Sequence, residues 1–260
     1  MTGRAGARAK TGAGRTNVLF LGHSHLVGLV AAWRRVPLDR RPFVMEHAYL
    51  DDRLFQPNLG PDSALHPRLA HLISAPRLRA VVSVIGGNTH HHFGMCNHPE
   101  AWDVADPVGG APADGTPILP RGAVARQMAR IDAAHLRLLA ALGAAVPVPV
   151  FHLEPPPPVA SGAHLRAHPG HFADAIAAHG LAPRDRAARL WRLYTALYRT
   201  ACADAGIAWL ACPPEMLDPA GLLAAPGWSD DPTHPGPAYA AAVLAQLCRA
   251  PGLATATARC

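Results

Sequence analysis

Short, mainly apolar segments alternate along the chain with longer segments that are apolar on one side only. The short segments predict five strands, at 17–21, 42–49, 79–85, 146–153 and 207–210. The longer segments predict helices that begin near Leu26 and near Pro237 and that cover 121–142 and 184–205. Strands joined by helices of this length predict a three-layer α/β/α sandwich with a mainly parallel central sheet.

Two segments of the sequence show neither the apolar runs of the predicted strands nor the one-sided apolar pattern of the predicted helices. Residues 93–120 predict a long loop, and residues 154–183 predict a second one with a short helix near 170–179. Loops of this length in a compact domain are often lids or binding loops, so both are expected to shape the substrate site. Ligands of parallel α/β sheets bind beyond the carboxyl ends of the strands, and candidate chemistry is expected there.

The charge of the chain is unevenly distributed. Half of the 260 residues are apolar, 16% are charged, and the net charge is +6. Residues 1–16 carry four basic side chains and no acid, which leaves +2 for the rest, whereas a nucleic-acid surface concentrates basic residues on the folded part. We therefore predict a disordered basic tail over 1–16, one domain over 17–250, a flexible tail over 251–260, and no nucleic-acid partner.

Targeting and redox signals are also weak in this sequence. Residues 1–16 lack the apolar region of a secretory signal, and no apolar run reaches the ~18 residues that a membrane span needs. The five cysteines are scattered and include no CxxC pair, which favours reduced thiols over a disulfide framework. These features predict a cytoplasmic location and no membrane span.

Polar residues follow two of the predicted strands. Ser24 stands between the first strand and a helix, where its hydroxyl is exposed and its amide lies at a helix N-terminus that favours negative charge. An ordinary helix N-cap is the alternative interpretation of this serine. Asn88 follows the third strand after Gly86-Gly87, a pair that lets the backbone approach a ligand closely or simply makes a turn.

A third polar group precedes the last helix. Asp231 and His234 are three residues apart, with a proline after each of them. This spacing can bring the carboxylate to the imidazole, where it would fix the tautomer and stabilise the imidazolium formed on proton uptake. A turn that ends in a surface histidine is the alternative interpretation.

A serine after the first strand, Gly-x-Asn after the third and Asp-x-x-His near the C-terminus resemble, in this order, the SGNH (GDSL-like) family of serine hydrolases. Residues 153–156, Leu-Glu-Pro-Pro, are similar to the proline-rich segment after the family's fourth strand, and residues 231–247 are similar to its closing helix. The resemblance covers roughly residues 17–249. It implies the SGNH-hydrolase fold, which is flavodoxin-like, and neither a metal nor another cofactor.

The resemblance also implies a role for each matching residue. Ser24 would be the nucleophile, His234 its base and Asp231 the residue that orients the base. The Ser24 amide and the Asn88 side chain would form the oxyanion hole. The implied activity is hydrolysis of a carboxylic ester, such as an O-acetylated carbohydrate or another small acyl ester, through an acyl-Ser24 intermediate.

Three positions depart from the family pattern. His23 replaces the aspartate before the serine, and His25 follows the serine as tolerated bulk or as a substrate contact. Thr89 replaces the aspartate of Gly-x-Asn-Asp, so a network through that carboxylate is expected to be absent or changed. The oxyanion glycine after the second strand has no clear match, and Gly60 is the nearest candidate.

The histidines after Asn88 raise the alternative of a metal site. On an extended chain His90 and His92 would share a face, and we predict that both line the substrate site together with His25. No segment has the definition of a zinc motif such as HExxH, so no metal is predicted.

Two other functions stay open at this point. Acyl transfer to an acceptor other than water would use the same triad, because the outcome depends on whether the site excludes water. A catalytically impaired SGNH-fold binding protein is favoured by Thr89 and by the missing glycine.

Overall fold

The computed structural model describes residues 16–106, 115–250 and 253, so the predicted tails lie almost entirely outside the described residues. The strands are β1 (Thr16–Gly22), β2 (Phe43–Tyr49), β3 (Leu78–Val84), β4 (Asp103–Val104), β5 (Ile118–Leu119), β6 (Val150–Leu153) and β7 (Ala208–Leu210). The helices are α1 (His25–Arg35), α2 (Pro67–Ile73), α3 (Thr89–Gly94), α4 (Arg121–Ile131), α5 (Ala133–Ala145), α6 (Gly162–Ala167), α7 (Ala173–His179), α8 (Arg184–Asp204) and α9 (Pro237–Arg249).

The five predicted strands form one parallel sheet in the order β2-β1-β3-β6-β7. This is the flavodoxin-like order. The direction in which successive strands are added to the sheet reverses between β1 and β3, and this leaves a crevice at their carboxyl ends. Gly22, the last residue of β1, pairs with Val84, the last residue of β3. Ser24 and Asn88 therefore leave the sheet side by side.

Apolar side chains cover the sheet on both faces. One core lies under α1 and α9 and includes Leu26, Trp33 and Val243, and the other lies under α4, α5 and α8. The strand β3 is buried on both sides, as its continuous apolar run predicts. The prediction of a three-layer α/β/α sandwich is confirmed.

The predicted helix over 121–142 is wrong in one respect, because the structure has two helices there. The break falls at Asp132, whose side chain is buried and hydrogen-bonded to other elements. Ile131, which the single-helix pattern assigns to the buried face, is instead 54% exposed. Because the helix breaks to bury the Asp132 carboxylate, the apolar face of a continuous helix is interrupted and Ile131 turns outward.

Both predicted loops contain more regular structure than their composition suggests. The first holds the end of α3 and the two-stranded pair β4–β5, and the second holds α6 in addition to the expected α7. The hydroxyl of Ser161 caps α6 by accepting from the His164 amide at 3.1 Å. Helices and strands this short leave too few residues for a period to be visible in the sequence.

Three cysteines, Cys96, Cys202 and Cys212, have free thiols, as predicted. The prediction is wrong for Cys248, which is disulfide-bonded. Scattered spacing along the chain does not reveal which cysteines meet in space. No helix within the described ranges combines the length and the apolarity that crossing a membrane requires.

Several histidines are buried in this fold in the neutral state. Burial lowers the pKa of His25 to about 4 and those of His90 and His152 to about 3. An unfolded chain would protonate the same side chains near 6.5, the ordinary pKa of histidine. Between these values the unfolded state binds more protons than the native state, so the free energy of unfolding decreases as the pH falls.

We expect stability to fall steeply below pH 6.5. Each buried histidine contributes a limiting slope of roughly 1.4 kcal/mol per pH unit down to its native pKa. Urea unfolding at pH 7.5, 6.5 and 5.5 measures the slope. His152→Gln should reduce it by about one proton, while the exposed His98→Gln serves as a control that keeps it. Equal stability of the native chain at pH 7.5 and 5.5 would contradict the neutral burial of these side chains.

Candidate active site

The structure brings Ser24, His234 and Asp231 together. The Ser24 Oγ lies 2.8 Å from His234 Nε2, and His234 Nδ1 lies 3.0 Å from Asp231 Oδ1. The Ser24 side chain makes no capping hydrogen bond to α1, so the N-cap interpretation does not fit. Hydroxyl, imidazole and carboxylate follow one another in the order that general-base activation of a nucleophile requires.

The loop that carries the imidazole is held by its own hydrogen bonds. Asp231 Oδ1 accepts from the Thr233 amide at 2.7 Å, from the Thr233 hydroxyl at 2.7 Å and from the His234 amide at 2.9 Å. Burial alone would raise the pKa of Asp231, but these hydrogen bonds outweigh it and lower the pKa to about 2. The carboxylate beside the imidazole is therefore ionised at neutral pH.

The second predicted loop packs against the loop that carries His234. The Nε2 of His164, on α6, lies 2.8 Å from the Ser229 carbonyl oxygen, to which it donates. The His164 ring also packs on Trp228, with 4.8 Å between the ring centroids. The Ser229 hydroxyl in turn donates to the His234 carbonyl at 2.6 Å. His164 of α6 therefore supports the loop of His234 from outside the sheet.

Asn88 lies directly beyond β3, at the start of α3. The two preceding glycines have φ of 78° and 125°, conformations that side chains with a Cβ rarely adopt. A Cβ on Gly87 would also lie 2.7 Å from the His25 ring. Glycine is thus required where the backbone passes over His25 and delivers Asn88 to the crevice.

His25 orients the Asn88 side chain. Its Nε2 lies 2.9 Å from Asn88 Oδ1, and its Nδ1 is buried without a partner among the described residues. Because His25 is buried and neutral, the single proton belongs on Nε2, where it is donated to Oδ1; on Nδ1 it would be a buried donor with no acceptor. The Nδ2 hydrogens of Asn88 then point away from His25 and are available to a bound oxygen.

A buried carboxylate that the sequence analysis missed holds the same turn. Asp132 accepts from the hydroxyls of Thr89 at 2.7 Å, Tyr194 at 2.5 Å and Tyr198 at 2.8 Å. The Tyr194 oxygen also accepts from the Gly87 amide at 3.0 Å. Burial would raise the pKa of Asp132, but hydrogen bonds from His135 and these hydroxyls lower it overall.

The Asp132 network fits the expectation attached to Thr89, which was a network absent or changed at this position. Thr89 has no carboxylate of its own, and its hydroxyl donates to that of Asp132, at the break between α4 and α5. A signal for it existed in the sequence: a single acid on the apolar face of a predicted helix, and two tyrosines four residues apart on another. Buried acids need hydroxyl or amide donors, but neither feature by itself indicates which donors the acid meets in space.

The expectation that Gly60 is the oxyanion glycine does not fit the structure, because its amide already has a partner. Gly60 belongs to a turn in which its own amide donates to the Ala64 carbonyl at 2.8 Å. The residues after β2 that contact the end of β1 are Leu50, whose amide donates to the Gly22 carbonyl at 2.8 Å, and Asp51, whose Oδ1 lies 3.7 Å from His23 Nε2. An amide already used in a tight turn is not available to an oxyanion.

The structure does not bring His90 and His92 to the serine. The extended chain assumed after Asn88 is wrong, because α3 starts there and turns the two side chains away from each other. His90 is buried against Tyr194, and His92 lines a separate cavity of about 650 Å³. His25 does line the cavity at Ser24. Within the described ranges no three His, Cys, Asp or Glu side chains are grouped to hold a metal ion.

Sequence comparisons find no matching protein-family model and no matching curated protein. Among solved structures, the chain is similar to the periplasmic domain of a lipopolysaccharide acetyltransferase from Salmonella ser. Paratyphi A, with 11% identity, 89% of this chain and 81% of that chain covered, and a TM-score of 0.46. It is also similar to a carbohydrate acetylesterase from Sinorhizobium meliloti, with 14% identity and a TM-score of 0.36. That match covers 88% of this chain and 94% of the acetylesterase. A GDSL-like lipase from Bacteroides thetaiotaomicron has 13% identity, 88% and 83% coverage, and a TM-score of 0.35.

These likenesses are distant, and the fold is defined by the chain's own topology. Its parallel sheet has the order β2-β1-β3-β6-β7, with apolar cores on both faces. By its layers and its strand order, the chain has a three-layer α/β/α fold of the flavodoxin-like type.

Proposed function

We propose that this protein is a serine esterase that hydrolyses carboxylic esters through an acyl-Ser24 intermediate. The observation that carries the proposal is the 2.8 Å contact between Ser24 Oγ and His234 Nε2, with the ionised Asp231 3.0 Å from Nδ1. The pair also lines one cavity of about 400 Å³, which gives a substrate access to the hydroxyl.

Acylation uses the three side chains in sequence. With its proton on Nδ1, facing Asp231, His234 presents an unprotonated Nε2 to the Ser24 hydroxyl. The Ser24 oxygen attacks the ester carbonyl carbon as its proton moves to Nε2, and a tetrahedral oxyanion forms. The intermediate collapses to acyl-Ser24, and the leaving alkoxide takes the proton from Nε2 and departs as the alcohol.

Deacylation repeats these steps with water in place of serine. His234 takes a proton from a water molecule, whose oxygen attacks the acyl carbonyl carbon. The second tetrahedral intermediate then expels the Ser24 oxygen, which regains the proton from Nε2, and the carboxylic acid is released. The Asp231 carboxylate stabilises the imidazolium in both halves, and no cofactor is required.

The Asn88 amide and the Ser24 backbone N–H are the proposed oxyanion donors. Replacing Asn88 by Ala should reduce kcat by about 10²–10³ with little change in KM, since the donor acts on charge that develops only in the transition state. Asn88→Asp has the same shape without the N–H donors and should lose as much. Steady-state kinetics on p-nitrophenyl butyrate measure both, and a loss in kcat below about threefold in both would contradict this role.

The ester hydrolase proposal is tested by release of p-nitrophenol from p-nitrophenyl esters. The wild-type chain should turn over at least one ester with a burst of p-nitrophenol when deacylation is slower than acylation. Preincubation with a fluorophosphonate should abolish the activity. Purified, folded protein without turnover of any ester from acetate to octanoate would contradict the proposal.

A further inference from the structure

An apolar groove leads away from the candidate catalytic pair. It has a volume of about 400 Å³ and is bounded by Ser24 and His234 together with residues of α1 and α9. The last residues of β3, β6 and β7 are apolar and form its floor, and Gln246 on α9 is its most distant residue along that helix. From Tyr239 to Gln246 the helix rises roughly 10 Å, which is room for an extended acyl chain of about eight carbons.

Three polar side chains along this groove, those of Glu154, Tyr239 and Gln246, already have partners. The Glu154 carboxylate accepts from the Cys212 amide at 2.9 Å, and the Tyr239 hydroxyl lies 3.0 Å from Cys212 Sγ. Gln246 Nε2 donates to the Ala211 carbonyl at 3.0 Å. A sugar needs unpaired donors and acceptors in its site, whereas an alkyl chain needs none, so the groove suits the alkyl chain.

Two features of α1 make the groove accessible. Val27, a large apolar side chain at its rim, is 55% exposed. A Cβ added to Gly28 would meet no atom within 4 Å, so this position leaves the wall open. Buried methylene groups contribute about 0.8 kcal/mol each, or roughly fourfold in binding, if the groove excludes water around them.

We propose that this groove binds the acyl chain of medium-chain esters, with six to ten carbons as the preferred length by the ~10 Å helix rise. The inference rests on the proposed esterase function, because it is the catalytic serine at one end that makes the groove an acyl site. It replaces the acetyl or other small acyl group that the sequence resemblance suggested. The alcohol portion would then lie outside the groove, on the open side of Ser24.

The test is a chain-length series of p-nitrophenyl esters from acetate to decanoate. For the wild type, kcat/KM should rise at least ~10-fold from acetate to octanoate. Gly28→Leu adds a side chain into the groove and should lower the octanoate-to-acetate ratio of kcat/KM at least ~10-fold. Gly122→Leu is the matched control: it is an exposed helical glycine on α4, outside the groove, and should keep the ratio.

A binding measurement separates this inference from the proposed function. Octanoate, but not acetate, should raise the thermal unfolding midpoint of the wild type, and Gly28→Leu should lose this shift. Octanoate binding without any ester turnover would support the groove and contradict the esterase. Hydrolysis that is Ser24-dependent but as fast for acetate as for octanoate, or a ratio unaffected by Gly28→Leu, would overturn the acyl groove while leaving the esterase in place.

Discussion

Replacing Ser24 by alanine is expected to lower kcat/KM for p-nitrophenyl esters by about 10⁴–10⁶. The loss is this large because the variant has no oxygen to form the acyl intermediate and His234 has no proton to accept. Ser24 is exposed, and among the described residues its hydroxyl is hydrogen-bonded only to His234, so the free energy of unfolding should change by less than ~0.5 kcal/mol. Initial rates and urea unfolding measure the two quantities.

A second serine variant controls for the loss of a hydroxyl as such. Ser74 is exposed at the end of α2, where its hydroxyl donates to the His71 carbonyl at 3.1 Å. Ser74→Ala should keep the wild-type kcat/KM. Turnover by Ser24→Ala within about tenfold of the wild type would mean that another group performs the chemistry.

Asp231→Asn should reduce kcat/KM by about 10²–10⁴, the second-largest effect expected on activity. All four neighbouring donor groups, including His234 Nδ1, converge on Oδ1 of Asp231. An asparagine can keep its Oδ1 in that place and accept from the same donors. The substitution therefore removes the negative charge that stabilises the imidazolium while it preserves the loop, and the loss reports on the charge.

The adjacent aspartate provides the matched control for this variant. The Asp230 side chain is 93% exposed, and its carboxylate lies 3.4 Å from His168 rather than near His234. Asp230→Asn removes one charge from the residue next to Asp231. It should leave kcat/KM within about twofold, because exposed ion pairs contribute little. Equal activities of Asp230→Asn and Asp231→Asn would contradict the assigned role of Asp231.

The parallel sheet, and the proximity of Ser24 and Asn88 at its edge, could be predicted from local sequence patterns. Buried parallel strands are continuous apolar runs, and residues 79–85 have this pattern, which is why β3 could be predicted. Once the strands are parallel, their carboxyl ends share one edge, and Ser24 and Asn88 lie there by topology. The Asp231–His234 spacing is local, so its geometry depends on few other parts of the chain.

Features that depend on contacts between distant elements could not be predicted. The Asp132 network joins α3, the α4–α5 break and α8, and no local pattern pairs an acid with tyrosines some 60 residues away. The role of His25 depends on a contact with Asn88 across the crevice. The groove depends on how α1 and α9 are spaced, since Gly28 leaves an opening only because no side chain of another element fills it.

The most direct measurement of the central claim is peptide mass spectrometry after reaction with a fluorophosphonate. In the wild type the phosphonyl group should be found on Ser24, and labelling should be nearly absent in His234→Ala because the hydroxyl then lacks its base. If Ser24 stays unmodified in folded wild-type protein that has been incubated with the reagent, or if the label is on a different residue, the account is contradicted.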